Sequence, residues 1–156
     1  MTTMDFATTM YDVAEIELVY RSKVKASERV KITSSRDVFQ VLKRLWQEET
    51  VELREEFKVL FLNRANRVLG AYHLSSGGVC GTVVDPKLVF AAALRANACG
   101  VIVAHNHPSG NLQPSQADID LTRKLKEAGR VLEIQLLDHL IYTVEGYYSM
   151  ADEGLL

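Results

Sequence analysis

The sequence predicts an α/β fold: a single three-layer domain with a mixed central sheet. Three observations predict it. Apolar segments of strand type alternate with capped, amphipathic helical segments. The run at 100–104 (GVIVA) is wholly apolar, as a strand covered on both faces must be. The chain has 156 residues, 47% hydrophobic and 24% charged, which suits one soluble-type core.

Residues 1–12 read as a tail. Residues 14–21 (AEIELVYR) alternate apolar and polar side chains, the pattern of a strand with one buried face. The organisation expected is therefore an N-terminal tail and strand over 1–30 and the main domain over 31–156. Thr33, Ser34 and Ser35 offer helix caps ahead of Val38, Val41, Leu42 and Leu45, so a helix runs to about Trp46. A shorter helical stretch follows near 50–56. Residues 57–63 (FKVLFLN) form a buried strand, 63–66 a turn, 67–74 its hairpin partner and 75–78 a loop. Asp85 and Pro86 open a second helix, with apolar residues at 88, 89, 92, 93 and 96. The apolar strand at 100–104 then leads straight into His105-Asn106-His107-Pro108. Pro114 and Ser115 start a third helix, through 127 or 128, with Gly129 as its stop. A strand lies within 133–143, and 147–156 reads as a short helix or packed coil.

Charge and cysteine content narrow the function classes. The net charge is −2 and the pI about 6.1, without the electrostatic footprint of a nucleic-acid-binding domain. Lys58, Arg64 and Arg67, and likewise Arg123, Lys124 and Lys126, read as solvated faces. Cys80 and Cys99 are 19 positions apart, too far for a cysteine-rich metal cluster, and read as small packing residues in a reducing compartment. No apolar run approaches the ~18 residues of a membrane span. No secretory pattern is seen at the start, and the expected location is cytoplasmic.

The chemistry concentrates after the central strand. His105 and His107 stand two apart where that strand ends, so both imidazoles project to one side. Asp118 lies one turn inside the following helix, which a loop of that length can fold back over the strand end. Two histidines and one carboxylate are the usual protein ligands of a catalytic zinc site, leaving a fourth position for water. Iron, manganese and nickel accept the same donors.

The string HNHPSGNLQPSQAD resembles the JAMM motif H-x-H-P-x(6)-S-x(2)-D at every defined position. The segments FKVLFLNRANRVLGAYHLSSGG, VVDPKLVFAAALRANACGVIVAHNHPSG and LLDHLIY resemble the RadC branch of that superfamily, over roughly residues 51–155. The resemblance implies a JAMM/MPN architecture, similar to cytidine deaminases, and one Zn2+ per chain on His105, His107 and Asp118. It implies a hydrolase in which a zinc-activated water attacks an amide or isopeptide. Arg54-Glu55-Glu56-Phe57 is similar to the family's R-E-x-F pattern, which makes Glu55 the general base and Glu56 the runner-up. Neighbouring strand residues face opposite ways, so only one of the two can reach the metal. Ser115 takes the family's serine position, implying a donor to the oxyanion; its other reading is a helix cap.

Several expectations attach to these. The substrate is a peptide or isopeptide of unknown identity. DNA is a possible partner through the family's tie to DNA repair, but it is disfavoured by charge and by the lack of a legible helix-hairpin-helix region. A non-catalytic JAMM scaffold and hydrolysis of another carbonyl or phosphoryl substrate are further alternatives. An open edge at 57–63 or 14–20 would allow a homodimer. His139 reads as a structural histidine bonded near Asp138, and His73 has no motif support.

Overall fold

The computed structural model describes residues 13–17, 19–78 and 82–156; the expected tail at 1–12 lies outside them. Helix α1 (Ser35–Leu45) starts at the predicted cap. Asp37 Oδ2 accepts hydrogen bonds from Thr33 N (2.8 Å), Thr33 Oγ1 (2.6 Å) and Ser34 N (3.1 Å), tying down the chain as it enters the helix. A single turn, α2 (Glu48–Val51), comes earlier than the 50–56 stretch expected, because the chain is already extending into β1 (Glu56–Leu62). Asn66, at φ 58°, makes the turn to β2 (Val68–Ser76), which absorbs part of the loop predicted at 75–78. Helix α3 (Pro86–Arg95) is capped by Asp85, which accepts from Lys87 N, and begins with Pro86. Strand β3 (Gly100–Asn106), helix α4 (Gln116–Val131), strand β4 (Gln135–Tyr142) and strand β5 (Tyr147–Ser149) complete the domain.

The sheet order is β2-β1-β3-β4-β5, with β3 and β4 parallel and the other neighbours antiparallel. Period-two alternation divides its side chains between two cores. Phe57, Val59, Phe61, Val101, Val103 and Leu136 pack on one face against Val89, Phe90 and Ala93 of α3 and Leu125 of α4. Leu60, Leu62, Ile102, Ala104 and Leu140 pack on the other, against Val38, Phe39 and Leu42 of α1 with Trp46 and Val51. These are the three layers.

Four local expectations are corrected. No strand forms over the described part of 14–21; Val13 and Ile16 stay exposed, and no partner strand meets the segment. β1 is hydrogen-bonded on both sides, so the open edge expected of it for pairing with a second copy does not exist. Gly129 lies inside α4 rather than stopping it. A Cβ there would collide with the carbonyl oxygen of Ile134, so the glycine is needed where the returning chain crosses the helix. Residues 147–149 form an edge strand on β4 instead of a helix or coil.

Candidate metal centre

Strand parity places the site. His105 follows Val101 and Val103 on the α3–α4 face of β3, and His107 comes one residue past the strand end. Helix α4 lies on that same face and presents Asp118 from its first turn. His105 Nε2 lies 2.9 Å from His107 Nε2 and 3.3 Å from Asp118 Oδ1, while His107 Nε2 lies 3.4 Å from Asp118 Oδ2. Donors at ~2.0–2.1 Å from one tetrahedral ion stand about 3.3 Å apart, so these three side chains can each offer one donor to a single ion.

Ser115 is both cap and orienting group. Its Oγ accepts from Asp118 N at 3.1 Å, and its backbone N–H donates to Asp118 Oδ2 at 2.8 Å. This capping box holds the carboxylate of the third helix residue, Asp118, a candidate metal donor, in one rotamer. The Ser115 hydroxyl hydrogen meets no acceptor among the described residues, which leaves it free to serve the cleft it lines.

The electrostatics are those of a compact cluster of imidazoles and a carboxylate. Burial opposes the charged form of Asp118, but the imidazoles of His105 and His107 beside it outweigh this and hold its pKa well below the usual carboxylate range. Burial likewise opposes charge on His107; the Asp118 carboxylate and the Asn111 carbonyl, which takes His107 Nδ1 at 2.6 Å, reverse this and raise its pKa.

Glu55 and Glu56 separate as strand parity requires. Glu55 lines the cleft, of about 440 Å³, that holds His107, Ser115 and Asp118, and also an adjoining hollow beside His105. Burial raises its carboxyl pKa, partly offset by His105 and His107. Glu56 is buried on the opposite face. It pairs with Arg54 Nε (3.2 Å), Lys58 Nζ (3.3 Å) and His73 Nδ1 (3.5 Å), remote from the metal triad. A roomier hollow of about 930 Å³ lies at the other end of the sheet, against Asn97, exposed Cys99 and Glu133. It contains no member of the triad, and Cys99 is not the packing residue expected; Cys80 lies outside the described residues.

Two features were missed by sequence reasoning. Asn106, between the two histidines, points to the other face and is fully buried. Its Oδ1 accepts from Glu56 N at 2.7 Å, and its Nδ2 donates to Val51 O (2.7 Å) and Arg54 O (2.9 Å), clamping the backbone on both flanks of Glu55. Its signal was its place in H-N-H, since the residue between two like-facing ligands must project oppositely. His139 does not bond sideways to the Asp138 carboxylate; only its backbone N–H does, at 2.7 Å. Its ring lies behind His105, with Nε2 2.7 Å from His105 Nδ1 and Nδ1 2.6 Å from Thr122 Oγ1. Complete burial, reinforced by the two neighbouring imidazoles, pushes its pKa down and keeps it neutral.

Comparison with known proteins gives a family match and several relatives. A profile described as "RadC-like JAB domain" matches residues 32–155. A UPF0758 protein of Flavobacterium johnsoniae is 47% identical over 144 residues, covering 92% of this chain and 62% of that protein. One of Chlorobaculum tepidum is 37% identical over 150 residues, covering 96% and 66%. One of Staphylococcus haemolyticus is 41% identical over 128 residues, covering 82% and 55%. The chain thus spans less than two thirds of the length of these relatives. Among the described residues, no helix is long and apolar enough to cross a membrane.

Proposed function

The chain belongs to the RadC-like JAB domain family, and from that premise we propose that it is a metal-dependent hydrolase, with zinc as the metal and an amide or isopeptide as the scissile bond. One observation carries this reading: three donor atoms converge at single-ion spacing beside a cleft and an adjoining hollow that both hold the Glu55 carboxylate. The donor set, two imidazoles and one carboxylate, is that of hydrolytic zinc sites. When bound there, zinc supplies Lewis acidity toward water and toward a carbonyl group.

The protein's own groups divide the remaining work. Glu55 takes the proton of the attacking water and returns it to the leaving amine. Its burial favours this, because a carboxyl group pushed up toward neutral pH both accepts and gives back a proton more readily. Asn106 keeps Glu55 in place by holding the backbone at Arg54 and Glu56. Ser115 O–H donates to the oxygen that gains charge as the carbonyl is attacked.

The test joins metal analysis to a substrate screen. Purified protein is expected to hold about one zinc per chain, lost in His105→Ala, His107→Ala and Asp118→Ala. It is also expected to cleave members of a peptide and isopeptide panel. Equal metal content in wild type and the three variants, or cleavage that survives removal of the metal, would overturn the reading.

A further inference from the structure

Behind the three ligands runs a closed chain of hydrogen bonds. It begins at His105 Nδ1, passes through His139 and Thr122, and ends at the backbone carbonyl of Asp118. Its members are placed by two unrelated devices. Thr122 sits four residues after Asp118 on α4, so its hydroxyl reaches back to Asp118 O at 2.7 Å. His139 depends on an irregularity in the β3–β4 ladder. Val101 pairs with Leu136, but Ile102 pairs with Asp138. The extra residue, Leu137, packs into the α1-side core, whereas Leu136 packs into the α3–α4 core. The bulge thereby returns His139, opposite Val103, to the face that carries His105.

Proton placement follows from the far end of this chain. A carbonyl oxygen only accepts, so the single Thr122 hydroxyl proton lies on the 2.7 Å contact to Asp118 O. The other near neighbour, Met150 Sδ at 3.3 Å, is also acceptor-only and does not change this. Thr122 Oγ1 must then accept from His139, whose Nδ1 carries the proton. A neutral imidazole has one N–H, so His139 Nε2 is bare and accepts from His105 Nδ1. That leaves His105 Nε2 bare, and Nε2 is the atom facing His107 and Asp118.

We propose that Thr122 and His139 are positioning residues for the metal centre, which through this ordered chain fix His105 in its metal-accepting tautomer and lock it to the helix turn bearing Asp118. The proposal rests on the metal-site reading above. It adds that the affinity of the site is set by two residues that never touch the ion. Partners of this kind orient the ring and typically contribute ~10–100-fold to metal affinity.

The experiment measures Zn2+ and Co2+ affinity by chelator competition in wild type, Thr122→Val, Thr122→Ser and His139→Phe. It adds 15N histidine spectra of the metal-free wild type. Thr122→Val keeps the shape of the side chain and removes the hydroxyl. Its affinity should fall ~10–100-fold, its Co2+ absorption should change, and Thr122→Ser should restore both. The spectra should show His105 and His139 protonated at Nδ1. Thr122→Val with wild-type affinity, or a wild-type His139 protonated at Nε2, overturns the proposal; the second result stands even if the variants fail to fold. A wild type that binds neither ion refutes the metal-site reading instead, so the two failures are distinguishable.

Discussion

Replacing Asn106 with alanine should destabilise the protein sharply although the residue binds nothing. Asn106 is completely buried and makes three hydrogen bonds of 2.7–2.9 Å, all to backbone groups. The change strands Glu56 N–H and the carbonyls of Val51 and Arg54. At ~1 kcal/mol net for each bond, the loss is about 3 kcal/mol, before any further penalty for buried groups left unpaired. For a chain of this size each kcal/mol moves Tm by roughly 2–4 °C, so a fall of about 6–12 °C is expected. Asn106→Asp should be no better. It retains the acceptor for Glu56 N–H but turns oxygen toward two carbonyl oxygens. Thermal unfolding, with elemental analysis of the folded fraction, is the assay. Whatever metal the wild type holds should be retained, because His105 and His107 project to the other face. An Asn106→Ala protein that melts with the wild type would refute the claim that this side chain holds the Glu55 segment to β3.

Four further outcomes are expected. Glu55→Gln should keep fold and metal and lose hydrolysis, since the amide cannot accept a proton; an inactive Glu56→Gln beside an active Glu55→Gln would reverse their assignments. Glu56→Gln should instead alter acid stability. The pKa of Glu56 is lowered in the fold, where hydrogen bonds to Arg54 and Lys58 overcome the burial that opposes its charge. Its contribution is therefore present above the unfolded value of 4.5 and lost as pH falls through the folded one, so the variant's unfolding profile should be flatter on the acid side. Ser115→Ala should lower stability by ~0.5–2 kcal/mol through loss of the cap, and, if the hydroxyl also donates to the oxyanion, lower kcat by ~100-fold with zinc still bound; a normal kcat would confine Ser115 to capping. Gly129→Ala should destabilise by about 1–3 kcal/mol despite alanine's better helix propensity, because the new methyl meets backbone that a side-chain rotation cannot clear; chemical denaturation measures it, and a stabilised variant would show that the crossing chain yields freely.

The features that the sequence determined by itself are those governed by local geometry. Period-two alternation aligned His105 with His107 and set Glu55 apart from Glu56. Helix-start chemistry placed Asp118 three residues past Ser115, and a wholly apolar strand marked the middle of the sheet. Each follows from backbone geometry within about ten residues, so no distant partner was needed to read it. The tertiary structure decided whatever depends on which segments meet. Residues 14–21 have the alternation of a strand, but those of them that are described pair with no other strand, and alternation alone does not make a ladder. Gly129 looks like a helix stop until the chain at Ile134 is seen crossing it. His139 would face away from His105 if β4 were regular, since Leu136 and His139 differ by three positions and an unbroken strand would put them on opposite faces. One bulge, formed where β4 docks on β3, reverses that parity and sets the imidazole beneath His105. A bulge is a property of the pairing between two strands, so neither strand's sequence states it alone.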